Sequence, residues 1–296
     1  MEEKRISFTA ADGTPLHGYW WAPRGRRAKG VVVVNPATGV AARYYHRYAA
    51  FLAGHSFAVL TYDYRGIGLS RPLRLAGSGH TWTQWGELDF AAALERAVFL
   101  EPALPVMVVG HSIGGFLPGY AENAGLVSRM LTVGAQYGYW GDYERKARPR
   151  LFLKWHVAMP ALTTVFGYFP GRRLGWLEDL PAGVAYEWAF RAARVEKGLD
   201  PQDALHLKQR FGAITAPVLA IGCSDDPLAT RQAIRRALSY YAGARCTKVM
   251  LEPADLACER IGHFDLFHDR HAAGFWLDTL LWLRDGINPW PSKCFE

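Results

Sequence analysis

The residues that most constrain this chain are Gly110-His111-Ser112-Ile113-Gly114, placed after the apolar run Pro105–Val109 and before a segment able to turn helical. Glycines two before and two after a serine are what a tight strand-to-helix elbow demands. Side chains at those positions would collide, and the serine between them is held at strained backbone angles with its hydroxyl presented at the sheet edge. The rest of the chain has to supply a sheet for that elbow to stand on.

It reads as an α/β chain. Short apolar runs alternate with helical patterns, the mark of a largely parallel sheet flanked by helices. Arg5–Thr9 and Leu16–Trp21 flank the turn dipeptide Asp12-Gly13 and predict an antiparallel hairpin. Val31-Val32-Val33-Val34 is a β-branched run suited to burial on both faces. A helix over 42–54, a strand over 57–62 and a helix over 83–100, with apolar positions Leu88, Ala92, Leu94 and Val98, lead to the elbow strand, and a strand over 130–133 follows. From 139 to 210 the alternation stops and helical sequence rich in Trp, Arg and Pro takes over. The chain therefore divides into a first core part at 1–138, a helical cap insertion at 139–210 and a second core part at 211–296. In that last part strands resume over 218–221 and 247–251, and an amphipathic helix closes over 271–283. With 296 residues, half of them hydrophobic and 11 of them Trp, one large domain with an insertion suits the chain better than two equal domains.

No run of 18 uncharged apolar residues occurs, and the chain opens on Met1-Glu2-Glu3-Lys4-Arg5 with no apolar stretch behind it, so a cytoplasmic protein without stable membrane association is expected. Cys223, Cys246, Cys258 and Cys294 lack Cys-x-x-Cys spacing and nearby paired histidines, which speaks against zinc and disulfides. No metal or organic cofactor is expected. The net charge of +7 gathers at Arg24, Arg26, Arg27 and Lys29 and again from Arg145 to Lys154. With no nucleic-acid motif beside either cluster, both read as solvated faces, and a nucleic-acid partner is not expected. A homodimer stays open.

A serine hydroxyl is a weak nucleophile at neutral pH and needs a base to take its proton and an acid to orient that base, here in the chain order serine, acid, histidine. The run Pro217–Pro227 ends in two carboxylates. Asp225, three after Gly222, is the preferred acid; Asp226, before Pro227, reads rather as a turn or helix-capping residue. The expected base is His263 in Ile261-Gly262-His263-Phe264, where Gly262 lets the loop fold close and Phe264 walls the ring from water. His268 and His271 fall at or inside the last helix, and His111 points the wrong way round the elbow, so that it packs or hydrogen-bonds locally. For the charge that develops on an attacked carbonyl oxygen, the expected donors are the N–H groups of Ile113 and Ala37, with the Thr38 hydroxyl as an addition. The plainer reading of Asn35-Pro36-Ala37-Thr38-Gly39 is a turn with no electrostatic duty. Asp63–Ser70 is structural, with Arg65 pairing to Asp63 or a nearby carboxylate. The cap aromatics Trp155, Phe166, Tyr168, Phe169, Trp176 and Trp188, with Met159, either line a substrate pocket or form the cap's own core; Thr38, Trp155, Met159 and Phe264 are the substrate-contacting candidates.

Gly110–Gly114, together with Asp63-Tyr64-Arg65-Gly66-Ile67-Gly68-Leu69-Ser70, Gly222–Asp225 and Gly262-His263, resembles the α/β-hydrolase superfamily over essentially the whole chain. Asn35–Val40, Trp85–Asp89, Phe166–Gly171 and Ile261–Phe264 are more narrowly similar to a bacterial subfamily of predicted α/β-hydrolases, which shares the departure from a His-Gly turn at 35–36. The resemblance implies the α/β-hydrolase fold, a mostly parallel twisted sheet flanked by helices with a helical cap, and a triad on Ser112, Asp225 and His263. The expected reaction is cleavage of a carboxylic ester, thioester or lactone of a small, moderately hydrophobic molecule through an acyl-enzyme on Ser112. The rivals are acyl transfer from the same intermediate and a non-catalytic binding protein on the same fold.

Overall fold

Strand β3 (Val31–Asn35) is buried along its whole length, as its unbroken β-branched run dictates. Val31 and Val33 enter one hydrophobic cluster and Val32 and Val34 the other, one on each face of the sheet. The computed structural model, which describes residues 1–296, builds an eight-stranded sheet around this strand. Its other members are β1 (Glu2–Thr9), β2 (Pro15–Ala22), β4 (Ala58–Asp63), β5 (Val106–His111), β6 (Val127–Val133), β9 (Val218–Cys223) and β10 (Cys246–Leu251). Two-residue strands β7 (Tyr168–Phe169) and β8 (Leu180–Pro181) pair separately from this sheet. The order across the main sheet is β1-β2-β4-β3-β5-β6-β9-β10, with β1, β2 and β4 antiparallel in succession and every later pair parallel. The hairpin closes with Thr9 opposite Pro15 around the Asp12-Gly13 turn. Because β3, β5, β6 and β9 run parallel as neighbours, the loops leaving their carboxyl ends share one edge.

Three elements differ from their sequence patterns, the closing helix being regular only over Phe275–Leu280, after a 3₁₀ turn at Asp269–His271, and π-helical over Leu281–Asp285. The segment after the elbow forms two short 3₁₀ turns, Ser112–Gly115 and Leu117–Tyr120, instead of a regular helix. Paired glycines at 114–115 weaken a helix, and Pro118 withholds a donor. The helix expected over 83–100 is a continuous coil of chain whose middle, Trp85–Phe90, is π-helical; its buried face in Ala91–Leu100 is Ala92, Ala93, Leu94 and Ala97, while Leu88 and Val98 sit half-buried at the margins.

The short elements between 148 and 189 bury Trp155, Met159, Phe169, Val184 and Trp188 in the same cluster as one face of the sheet. The helix Pro201–Ala213, whose first turn is capped by the Asp200 side chain, leads back to β9 and seats Phe211 against Phe116 and Tyr241. No helix is long and apolar enough to cross a membrane.

The turn after β4 is fixed by charge. Arg65 is buried and pairs with the buried Asp89 at 2.6 Å and with Asp12 at 2.6 Å, so its partners are these two rather than Asp63. Asp63 instead accepts the N–H groups of Ala42 at 2.7 Å and Leu69 at 2.8 Å and so joins two loops. Removing one member of a buried pair leaves the other charge uncompensated. Asp89→Ala is therefore expected to cost on the order of 3 kcal/mol in chemical denaturation; a loss below about 1 kcal/mol would show that the pair does not hold this turn.

Candidate active site

Ser112 follows β5 with φ +54°, a left-handed conformation that only two other non-glycine residues of the chain adopt. Its neighbours explain how it is held there. A Cβ on Gly110 would lie 2.5 Å from the Gly114 carbonyl oxygen, and one on Gly114 would lie 2.3 Å from the carbonyl oxygen of Asn35 at the end of β3. The elbow's glycines are thus a requirement of backbone touching backbone. The same approach sets the Asn35–Gly39 loop beside the serine.

The Ser112 hydroxyl lies 2.9 Å from His263 Nε2, and His263 Nδ1 lies 2.6 Å from Oδ2 of Asp226. The carboxylate facing the imidazole is therefore that of Asp226, which corrects the expectation of Asp225. The backbone N–H of Asp226 donates to the Cys223 carbonyl at 3.1 Å, a turn that folds residue 226 back over the sheet edge. Asp226 also does the capping work expected of it, since Oδ1 accepts the N–H groups of Leu228 and Ala229 at 2.8 and 3.1 Å. Asp225 points to the other side and accepts the N–H groups of Ile261 at 2.8 Å and Gly262 at 2.9 Å. It pins the backbone just ahead of His263.

All three side chains are shielded: Ser112 is 5% exposed, and the side chains of His263 and Asp226 are 6% and 2% exposed. Burial pushes the Asp226 carboxyl up, but His263 and the two backbone donors outweigh it and hold the group below the ordinary carboxylate value. An ionised carboxylate only accepts, so Nδ1 of His263 carries the proton and Nε2 is left to accept from the serine hydroxyl.

His111 has a defined place behind this arrangement. Burial first, and the neighbouring His263 second, push its imidazole down to about 3, so the ring is neutral. One nitrogen, Nε2, lies 2.7 Å from the His263 carbonyl oxygen and must donate to it; Nδ1 then accepts from the Tyr45 hydroxyl at 2.7 Å. The Tyr45 oxygen in turn accepts the N–H of Ala37 at 2.9 Å. This corrects a second expectation: the Ala37 N–H, read from sequence as an oxyanion donor, is already committed. Ile113, second in the Ser112–Gly115 turn, keeps an N–H with no partner inside that turn. Thr38 is buried in the neighbouring loop, and no hydrogen bond joins it to Ser112.

One residue at the serine was not read from sequence. Gln136 Nε2 donates to Ser112 Oγ at 3.1 Å. The only available signal was its position just beyond β6, next to the elbow strand.

The candidate substrate contacts divide. Trp155 stacks on Trp188 at 4.5 Å and meets Trp176 edge-on at 5.7 Å, and Met159 is fully buried, so both belong to the hydrophobic core. Phe264 stands edge-on to His263 at 5.0 Å and borders a cavity of about 370 Å³ with Val40, Tyr44, Trp176 and Leu177. A strap of chain at 178–179 runs along its rim. The N–H of Glu178 donates to the Gly39 carbonyl at 2.8 Å, its carboxylate pairs with Arg43 at 2.8 Å and with Arg172, and Asp179 pairs with Arg71 at 2.6 Å.

Residues 16–276 match the model of the Alpha/beta hydrolase family. No curated protein matches the sequence. Among solved structures the chain is similar to DcsB in complex with its substrate analogue (TM-score 0.63, 14% identity, 97% of this chain and 100% of that one). It is also similar to an esterase of Pyrococcus furiosus (TM-score 0.58, 15% identity, 94% and 91%) and to the esterase of Exiguobacterium antarcticum (TM-score 0.56, 17% identity, 95% and 99%). At these identities the likeness is one of fold.

The neutral His111 makes a prediction about pH. Its folded value of about 3 lies below the ordinary 6.5, so below pH 6.5 the unfolded chain binds the extra proton. The stability it contributes is full above that pH and is lost as pH falls toward 3. Its ring resonances should stay unchanged between pH 8 and 5 in NMR titration; a titration midpoint near 6 would contradict the buried, neutral ring.

Proposed function

We propose that this chain, which belongs to the alpha/beta hydrolase family, is a serine hydrolase that cleaves a carboxylic ester, thioester or lactone through an acyl-enzyme on Ser112. The observation that carries this reading is the unbroken relay from the Ser112 hydroxyl through His263 to Asp226, at 2.9 and 2.6 Å. Esterases among the solved structures that share the fold support the choice of bond.

In this mechanism Ser112 Oγ attacks the acyl carbon while its proton passes to His263 Nε2. Asp226 stabilises the imidazolium that results and fixes its orientation. The N–H of Ile113 meets the charge that develops on the carbonyl oxygen. Collapse of the tetrahedral intermediate breaks the bond to the leaving group, which takes the proton back from His263. Water then enters by the same route in reverse, with His263 as base, and releases the acid. Asp225 serves by holding the His263 loop. The cavity beside Phe264, with Val40, Tyr44, Trp176 and Leu177 on its walls and Arg43 at its rim, suits a small, moderately hydrophobic group.

A fluorophosphonate probe should label the protein. Ser112→Ala should abolish labelling and turnover, and His263→Ala should cost roughly a thousandfold or more in kcat/KM on p-nitrophenyl esters. Asp226→Asn should cost about a thousandfold, against about tenfold or less for Asp225→Asn. Labelling that survives Ser112→Ala would end this reading, and the reverse order for the two aspartates would return the acid's role to Asp225. Activity should fall off once the acyl chain outgrows the cavity, which a series of p-nitrophenyl esters of rising length measures.

A further inference from the structure

We propose that Gln136 is a catalytic residue, its carboxamide N–H stabilising the charge that passes from Ser112 Oγ to the substrate carbonyl oxygen. This rests on the acyl-enzyme reading above and assigns that site a donor which no sequence motif marks.

The geometry is specific. Gln136 is 6% exposed, and its Nε2 is 3.1 Å from Ser112 Oγ. The other end of the same amide, Oε1, accepts the N–H of Gly138. That contact decides which way the amide faces, because the opposite orientation would set NH₂ against a backbone N–H and leave two donors opposed. The serine's own proton is directed at His263, so the bond from Gln136 falls on an oxygen lone pair.

The loop that carries Gln136 is held from both sides. Gly134 and Gly138 adopt φ +60° and +83°, and each is closely packed: a Cβ on Gly134 would lie 3.2 Å from His263 Cε1, and one on Gly138 would lie 2.9 Å from Trp188 Cδ1. The carboxamide is thus fixed between the histidine and the cap before any substrate arrives, as electrostatic stabilisation requires. The site also lacks a donor where one was expected, for the Ala37 N–H is bound to the Tyr45 hydroxyl.

During attack, Oγ gives its lone pair to the acyl carbon and its proton to His263, and the carbonyl π pair moves onto the carbonyl oxygen. As Oγ loses electron density, the oxyanion forms on the carbon it has attacked, beside Oγ, and the fixed Gln136 carboxamide meets the charge there. Gln136 gives up no proton and no bond to it is made or broken; when the leaving group departs with the proton from His263, the electron pair returns to the carbonyl and the amide is unchanged.

The test compares Gln136→Met, close in length but without a donor, with Gln136→Glu, which keeps the shape. Each is read by the rate of fluorophosphonate labelling, by kcat and KM on a p-nitrophenyl ester, and by thermal melting. Gln136→Met should lower both the labelling rate and kcat by about a hundredfold, with KM and the melting temperature close to those of the parent. Gln136→Glu should be most impaired at alkaline pH, where an anion faces the oxyanion, and its deficit relative to the parent should narrow as pH falls and the carboxyl gains a proton to donate. Parent-like rates in Gln136→Met would overturn the proposal while leaving the acyl-enzyme reading intact. So would a deficit in Gln136→Glu that is the same at every pH and tracks a fall in melting temperature. A parent protein that the probe does not label would overturn both.

Discussion

Everything at the carboxyl edge of this sheet depends on one contact of backbone with backbone, where the chain at Gly114 passes over the carbonyl of Asn35 so closely that even a methyl group could not stand between them. That contact holds Ser112 at a positive φ and brings the loops after β3 and β5 together. Strain at a single residue is tolerated because the surrounding structure determines it from several sides. Parallel neighbours β6 and β9 then need only deliver Gln136 and Asp226 to the same edge, and the loop after β10 delivers His263.

The electrostatics of the site follow from burial. A carboxylate out of water is costly unless it is paired and hydrogen-bonded, and Asp226 meets both conditions, with one oxygen on His263 and the other on two backbone N–H groups. The same burial gives His111 the opposite character. It is kept neutral, so it serves as a fixed donor to the His263 carbonyl without placing a positive charge beside that residue.

Those parts of the fold that depend on local sterics or on hydrophobic period were legible in the sequence. The elbow could be read because two glycines at fixed spacing answer to one collision, and β3 because a β-branched run has few other places to go. Less legible were the choices made by tertiary contacts. Asp225 and Asp226 are chemically identical neighbours, and only the turn closed onto Cys223 decides which of them meets His263. The Ala37 N–H could be misread because its partner is a tyrosine hydroxyl eight residues further on. Gln136 carries no motif; its role follows from strand order and from a hydrogen bond to Gly138 that sequence does not announce. The helix expected after the elbow is replaced by two 3₁₀ turns, because the paired glycines at 114–115 and Pro118 disfavour a regular helix.

The strap over the cavity rim has its own consequence. Glu178 and Asp179, adjacent in the chain, are fastened to cations on three separate segments, Arg43, Arg71 and Arg172, and Glu178 is also bonded through its backbone to Gly39. Because these fasteners share one short stretch of chain, loosening any one of them leaves the others holding. The stretch at 178–179 is thereby held redundantly, and because the arginines of its ion pairs are partly open to solvent, dissolved salt weakens all of these pairs together.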